Sequence, residues 1–314
     1  MRTTRVGPKP PSGVALAAAT AGISGVAVFV NSYGVRSFHQ AAVYTTAKNI
    51  VAALLLAAGV AASRPRARVG PSPAGVPSGR GRSGVARWAA LAYVAAVGGG
   101  LAFVLFFDGL ATTPAVPAAF LHDTLVVWVA VLALPFLGER IGPWNVVAIG
   151  LLVVGQASAG GGVGRLAARP GELLVLGATI LWAVEVVVAK RLLAAVAPPI
   201  LGLVRMGGGA AALIAYLAAT GRLHPLLAMG GAQLGWALLT GCLLAGYVGT
   251  WMAALARGRA VDVTSVLVGA ALVTAILNAV SGTGSASAEL VGLGMVAAGV
   301  TLVVRRWPRT AALT

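Results

Sequence analysis

Charged residues are scarce in this sequence. Asp, Glu, Lys and Arg make up 10% of the 314 positions, while hydrophobic residues make up 59%. A typical soluble domain carries about 25% charged residues, and a water-soluble fold could not hide so much apolar side chain. The 43 glycines fit helices that pack closely through small residues in lipid. We therefore predict an all-α integral membrane protein.

The sequence also lacks paired cysteines and several catalytic motifs. The single cysteine, Cys242, excludes a disulfide within the chain and disfavours metal ligation, and we expect neither a metal nor a cofactor. The sequence has no His-Glu-x-x-His zinc motif, no Gly-x-Ser-x-Gly nucleophile elbow and no Gly-x-x-x-x-Gly-Lys phosphate loop. Asp108 and Asp262 fall at the ends of apolar runs, which disfavours an intramembrane aspartate pair. We expect the protein not to be an enzyme.

The positive charge lies beside the apolar runs. A net charge of +16 could indicate a nucleic-acid partner, but the basic residues flank hydrophobic segments, which favours a lipid bilayer and no nucleic acid. The chain has three lysines and twenty arginines, a bias typical of a GC-rich bacterial genome. We therefore expect the bacterial cytoplasmic membrane. The sequence leaves the oligomeric state open.

Ten apolar runs are long enough, or nearly so, for a helix across ~30 Å of hydrocarbon. They predict two five-helix repeats, at 13–160 and 173–304, the first interrupted by a flexible basic loop at 63–87. Segments 1–12 and 305–314 are the predicted cytoplasmic termini, and 161–172 is the linker. With both termini inside, cytoplasmic segments hold seventeen Lys and Arg residues and the opposite side holds four. The positive-inside rule supports this topology.

The two halves match weakly at fixed offsets. At 157 residues, Lys48 in the second span falls on Arg205 in the seventh; at 145 residues, the ninth span falls on the fourth. Five spans separate each pair, so the repeats are predicted to be inverted in the membrane. Transporters with inverted repeats place their substrate sites near the midplane, between the halves.

One stretch carries a family resemblance. An alanine-rich helix ends in Leu137-Gly138-Glu139-Arg140, and Gly142 and a helix with Gly150 and Gly155 follow. This pattern resembles the EamA domain of the drug/metabolite transporter superfamily. The resemblance implies a ten-helix secondary transporter built from two copies of a five-helix unit. The second repeat has SGTGSASA where the turn would recur. We expect Glu139 and Arg140 to form a local ion pair at a hairpin turn, rather than to contact substrate.

Ionisable residues inside the predicted spans are the candidate site, because burying a charge in lipid is costly and such residues usually face a cavity or a partner. Lys48 and Arg205 could meet the carboxylate of a zwitterionic or anionic metabolite. They could instead pair with Asp123 or Glu185, or extend toward lipid headgroups. The sequence leaves both alternatives open.

The remaining candidates lie in the fourth and sixth spans. His122 and Asp123 could relay protons for coupled export, or fix packing through a hydrogen bond between helices. Glu185 and Trp182 could form a cation-binding or proton-binding site with an aromatic wall, or Trp182 could only pack. The candidate site residues are thus Lys48, His122, Asp123, Trp182, Glu185 and Arg205.

We expect a secondary active transporter that exports a small metabolite, such as an amino acid, by alternating access. A drug carrier or nucleotide-sugar-like carrier of the same superfamily is the alternative. Two buried cations disfavour a cationic drug through like-charge repulsion. A membrane sensor or assembly protein that transports nothing is the alternative from another class.

Overall fold

The computed structural model describes residues 12–38, 40–63, 82–113, 115–159, 168–282 and 288–307. Within these ranges the backbone forms helices and no strand. A 3₁₀ turn covers Val35–Ser37 and a π-helical segment covers Tyr93–Leu101. The α-helices are α1 (Gly13–Gly34), α2 (Ala41–Ser63), α3 (Arg82–Ala92), α4 (Ala102–Thr112), α5 (Ala115–Asp123), α6 (Leu125–Leu137), α7 (Pro143–Ala159), α8 (Pro170–Leu192), α9 (Pro198–Ala219), α10 (His224–Leu227), α11 (Gly231–Arg257), α12 (Ala260–Leu267), α13 (Ala270–Val280) and α14 (Ala288–Arg305).

Parts of several predicted segments lie outside the described residues. They are 1–11 of the N-terminal segment, 64–81 of the basic loop, 160–167 around the linker, 283–287 of the turn before α14, and 308–314 of the tail.

Eight described helical segments are long and apolar enough to cross a membrane, and two shorter apolar helices cover Pro143–Ser158 and Leu290–Arg305. A helix rises 1.5 Å per residue, so the 17 residues of α7 reach only about 26 Å. The chain is thus a multi-pass helical membrane protein. The count of ten spans stays a prediction, because the fifth and tenth runs are the two short helices.

The fourth and ninth spans are each broken in two, which the apolar runs did not predict. The fourth span divides between α5 and α6 at Thr124, and the ninth divides between α12 and α13 at Val268 and Gly269. Thr124 and Gly269 are 145 positions apart, the same offset at which the two spans match in sequence. The two repeats therefore share the break.

The core lies between the repeats. The most extensive helix contacts join one half of the chain to the other: α7 with α14, α1 with α11, α4 with α8, and the π-helical segment with α9. The closest approach is at Gly99 and Gly209, where a Cβ on Gly209 would lie 2.7 Å from the Gly99 Cα atom. Glycine at both positions lets the two backbones touch, which is how helices gain van der Waals contact in lipid.

The Leu-Gly-Glu-Arg turn contacts the second repeat. Gly138 ends α6 in the left-handed conformation, with φ of 64°. The predicted ion pair between Glu139 and Arg140 is wrong: among the described residues, Glu139 instead accepts hydrogen bonds from the backbone amides of Ala260 (2.6 Å) and Val261 (3.2 Å). These amides open α12, so the carboxylate caps that helix and complements its dipole.

More polar contacts surround this turn. Arg259 forms an ion pair with Asp262 at 2.6 Å, and the hydrogen bond that it donates to that carboxylate raises the pKa of Arg259. Asn145 donates to Asp262 at 3.0 Å. We call Glu139, Asn145, Arg259 and Asp262 the tail-end network. It lies where α1 begins and α14 ends, since Gly13 packs against Arg257 and Trp307 packs against Gly258.

Candidate functional site

Glu185 and Arg205 form an ion pair inside the helical bundle. Arg205 Nε lies 2.5 Å from Glu185 Oε1, and Nη2 lies 3.0 Å from Oε2. Glu185 is 4% exposed and Arg205 is 7% exposed. Two parallel N–H···O bonds are the strongest form of this pair. The alternative in which Arg205 pairs with a carboxylate of its own protein is therefore the one that the structure shows.

The π-helical segment holds this pair in place. A Cβ on Gly98 would lie 2.6 Å from Glu185 Oε2, so only glycine leaves room for the carboxylate. The Gly98 carbonyl accepts a hydrogen bond from Trp182 Nε1 at 3.0 Å. Tyr93, at the start of the segment, donates to the Leu181 carbonyl at 3.0 Å. π-Helical turns occur often at functional sites, and here one fits the third span against α8.

Lys48 differs from Arg205 although the two match in the repeat. It is 7% exposed. Its Nζ atom lies 5.1 Å from the centroid of the Tyr44 ring and 5.5 Å from that of Phe107. Within the part of the chain that the structure describes, this nitrogen has no ion pair and no hydrogen bond. Lys48 is thus a buried cation whose ammonium group makes described contacts with two aromatic rings.

Three phenylalanines of α4 link the candidate residues. We call Phe103, Phe106 and Phe107 the phenylalanine face. Phe107 lies under Lys48, and Phe103 lies 5.7 Å from Arg205 Cζ. Phe103 and Phe106 both pack against the Trp182 ring, with centroids 5.2 Å and 5.4 Å away. Rings at these distances attract cations and one another, so the face forms a continuous aromatic wall.

His122 joins this wall. Its ring lies 5.2 Å from the centroids of both Phe106 and Trp182. Its Nδ1 atom is buried and has no hydrogen-bond partner among the described residues. Trp182 is 8% exposed and packs in the interior, which agrees with the packing alternative for its ring.

Asp123 lies apart from the ion pair. Its Oδ2 atom accepts a hydrogen bond from Gln156 Nε2 on α7. This contact is the hydrogen bond between helices that was one of the two alternatives for this residue. Asp123 forms neither of the two ion pairs found among the described residues.

The structure thus connects five of the six candidates. Arg205 pairs with Glu185, and the phenylalanine face connects that pair with Lys48, Trp182 and His122. Sequence reasoning missed the phenylalanine face, Gly98 and Gln156. The i, i+3, i+4 spacing of the phenylalanines could have identified a helix face, whereas nothing in the sequence links Gln156 to Asp123.

A small cavity lies elsewhere, near the chain segments that join α1 to α2 and α10 to α11. It has a volume of about 170 Å³ and is lined by Phe38, Gln40, Val43, Pro225 and Gln233. None of the six candidate residues lines it.

Comparisons with known proteins cover most of the chain. The model of the EamA-like transporter family matches residues 11–158 and 169–305. One solved structure, described only as a crystal structure of a protein, superposes with a TM-score of 0.69 at 17% identity, over 94% of this chain and 98% of the other. At that identity the likeness shows the fold alone. Among curated proteins, no significant match is found.

Proposed function

The chain belongs to the EamA-like transporter family, and from this we propose that it is a secondary active transporter that exports a small metabolite, such as an amino acid, by alternating access. The family matches in both halves of the chain support a transporter and not an enzyme.

The observation that carries the proposal is the contrast between Lys48 and Arg205. Arg205 is neutralised by Glu185 at 2.5 Å. Lys48 is equally buried but has only ring faces beside it among the described residues. An unpaired charge in an apolar interior is costly unless a partner arrives. We infer that the partner is an anionic group of the substrate, such as a carboxylate.

The substrate would then bind beside the phenylalanine face. Lys48 attracts the anionic group, and the rings of Tyr44 and Phe107 exclude water around it, which strengthens the attraction. An apolar or aromatic part of the same molecule can pack on Phe106. A permanently cationic drug is disfavoured because Lys48 would repel it.

Membrane orientation is part of the proposal. Seventeen Lys and Arg residues lie in the segments predicted to be cytoplasmic, against four on the opposite side. We propose that the protein lies in the bacterial cytoplasmic membrane with both termini inside. The tail-end network then faces the cytoplasm.

Counterflow in proteoliposomes tests the transport proposal. Purified protein is screened with labelled amino acids and small organic acids, with nucleotide sugars and quaternary ammonium compounds as further arms. We expect flux of an anionic or zwitterionic compound, which Lys48→Met abolishes and Lys48→Arg partly retains. Arg222→Met, at an exposed site, is the matched control and should transport normally.

Three outcomes would contradict the proposal. Normal flux in Lys48→Met removes Lys48 from the mechanism. Flux only of quaternary cations reverses the inferred charge of the substrate. An absence of flux for every compound, with folded protein in the vesicles, favours the sensor or assembly function.

A further inference from the structure

Asp123 is the last residue of α5, at the break in the fourth span. A helix C-terminus carries partial negative charge from its carbonyl groups, so a second negative charge is unfavourable there. The surrounding helices are apolar, and the one described partner of the side chain is the neutral amide of Gln156. The ionised form of Asp123 therefore lacks a compensating cation.

No described cation supplies that charge. α5 packs against α4, α6, α7 and α8, and α6 and α7 carry no titratable residue. The titratable and charged groups on α4, α5 and α8 are Asp108, His122, Glu172, Glu185, Lys190 and Arg191. Glu185 is occupied by Arg205. Lys190 and Arg191 donate to backbone carbonyls near the tail end, and Glu172 accepts from the Arg169 amide.

The geometry at the break in the fourth span favours binding of a proton over binding of a metal ion. A sodium ion needs several oxygen ligands at once, and broken transporter helices supply them from unwound carbonyls. Here the Phe120 carbonyl already accepts from the Thr124 amide at 3.1 Å, and the Leu121 carbonyl accepts from the Thr124 hydroxyl at 2.6 Å. Two carbonyls before the break are thus already occupied, and the carboxylate keeps one oxygen, Oδ1, that accepts from no described donor and can bind a proton.

We propose that Asp123 is the site at which the transporter takes up and releases a coupling proton, an inference that rests on the proposed transport function. A proton from water on one side of the membrane binds the carboxylate and gives the neutral acid. On the other side the acid returns the proton to water, and the carboxylate reforms. The second repeat has Val268 at the corresponding position, so it lacks this carboxylate.

Infrared difference spectroscopy tests the site without a substrate. Purified protein in lipid is acidified stepwise, and the carboxylic-acid C=O band is recorded. We expect a band that appears on acidification, is lost in Asp123→Asn and remains in Asp108→Asn, the matched control at an exposed aspartate. A full band in Asp123→Asn, or no Asp123 band at any pH at which the protein stays folded, would overturn the proposal.

A second variant keeps the test valid if Asp123→Asn folds poorly. Gln156→Leu removes the one described hydrogen-bond donor to the carboxylate. A hydrogen bond to a charged group contributes about 1.5–3 kcal/mol, and one pH unit corresponds to about 1.4 kcal/mol. The band should therefore appear about one to two pH units higher. An unchanged midpoint in this variant would contradict the proposed site.

Two further experiments test for sodium binding and for proton-coupled transport. Sodium chloride at fixed pH, with choline chloride as control, should leave the band unchanged; a sodium-dependent loss of the band that vanishes in Asp123→Asn would assign the site to sodium instead. With a compound identified by counterflow, Asp123→Asn should lose accumulation driven by a pH gradient but keep counterflow. Because the infrared arm needs no substrate, failure of the transport proposal would be seen separately.

Discussion

Replacing Arg205 with methionine leaves the Glu185 carboxylate inside the bundle without its partner. Both side chains are almost fully buried, at 9% and 5% exposure, so water cannot replace the lost guanidinium. Lys48→Met removes a cation of similar burial from the matching place in the other repeat, but it breaks no ion pair or hydrogen bond among the described residues. The two variants should therefore affect the free energy of unfolding differently.

The expected change in the free energy of unfolding follows from the geometry of the ion pair. Removing one partner of a buried, hydrogen-bonded ion pair costs about 3–5 kcal/mol, whereas replacing both partners with apolar residues of similar size is often neutral or stabilising. Arg205→Met should thus destabilise by about 3–5 kcal/mol. Arg205→Met combined with Glu185→Leu should recover most of that loss. Lys48→Met should stay within about 1 kcal/mol of the unsubstituted protein.

Unfolding in mixed micelles provides the measurement. Purified variants are titrated with dodecyl sulfate in dodecyl maltoside, and unfolding is followed by tryptophan fluorescence and circular dichroism. Equal losses for Arg205→Met and Lys48→Met would refute the distinction between paired and unpaired cations. A double variant as unstable as Arg205→Met would show that the stranded carboxylate is not the cause.

Two further substitutions, each with a control, test other parts of the structure. Gly98→Ala places a Cβ 2.6 Å from Glu185 Oε2 and should cost about 1–3 kcal/mol of stability in the same titration. Its control is Gly150→Ala, where no atom lies within 4 Å of the added carbon, and it should be neutral or gain about 0.5–1 kcal/mol. Glu139→Ala should cost about 1–2 kcal/mol of stability and speed hydrogen exchange at the amides that open α12. Its control, Arg140→Ala, should leave that exchange unchanged. Equal exchange in both variants would argue against capping by Glu139.

Membrane class and family could be predicted from the sequence because both depend on local information. In lipid, the length and polarity of a run largely decide whether it spans, and the Leu-Gly-Glu-Arg turn is a contiguous motif. The EamA resemblance is confirmed by family matches in both halves of the chain. The predicted count of ten spans is not confirmed, because α7 and α14 are short for a bilayer.

The partners of the candidate residues depend on tertiary contacts that no local pattern contains. Lys48 and Arg205 are equivalent by repeat, yet only Arg205 meets a carboxylate, because α8 and α9 bring Glu185 beside it. Glu139 caps amides about 120 positions away in sequence. The breaks in the fourth and ninth spans contain no proline, so an uninterrupted apolar run was the reasonable prediction for each.

The tail-end network should be sensitive to the salt concentration of the solution that it faces. The Arg259 side chain is 32% exposed, whereas the Glu185–Arg205 pair is sealed from water. Dissolved ions screen exposed charges strongly and buried ones little. Raising the salt concentration on the tail-end side would therefore weaken the Arg259–Asp262 pair more than the Glu185–Arg205 pair. The ionic strength of that solution would thus act on the contacts that join the two halves at the tail end and leave the central ion pair nearly unchanged.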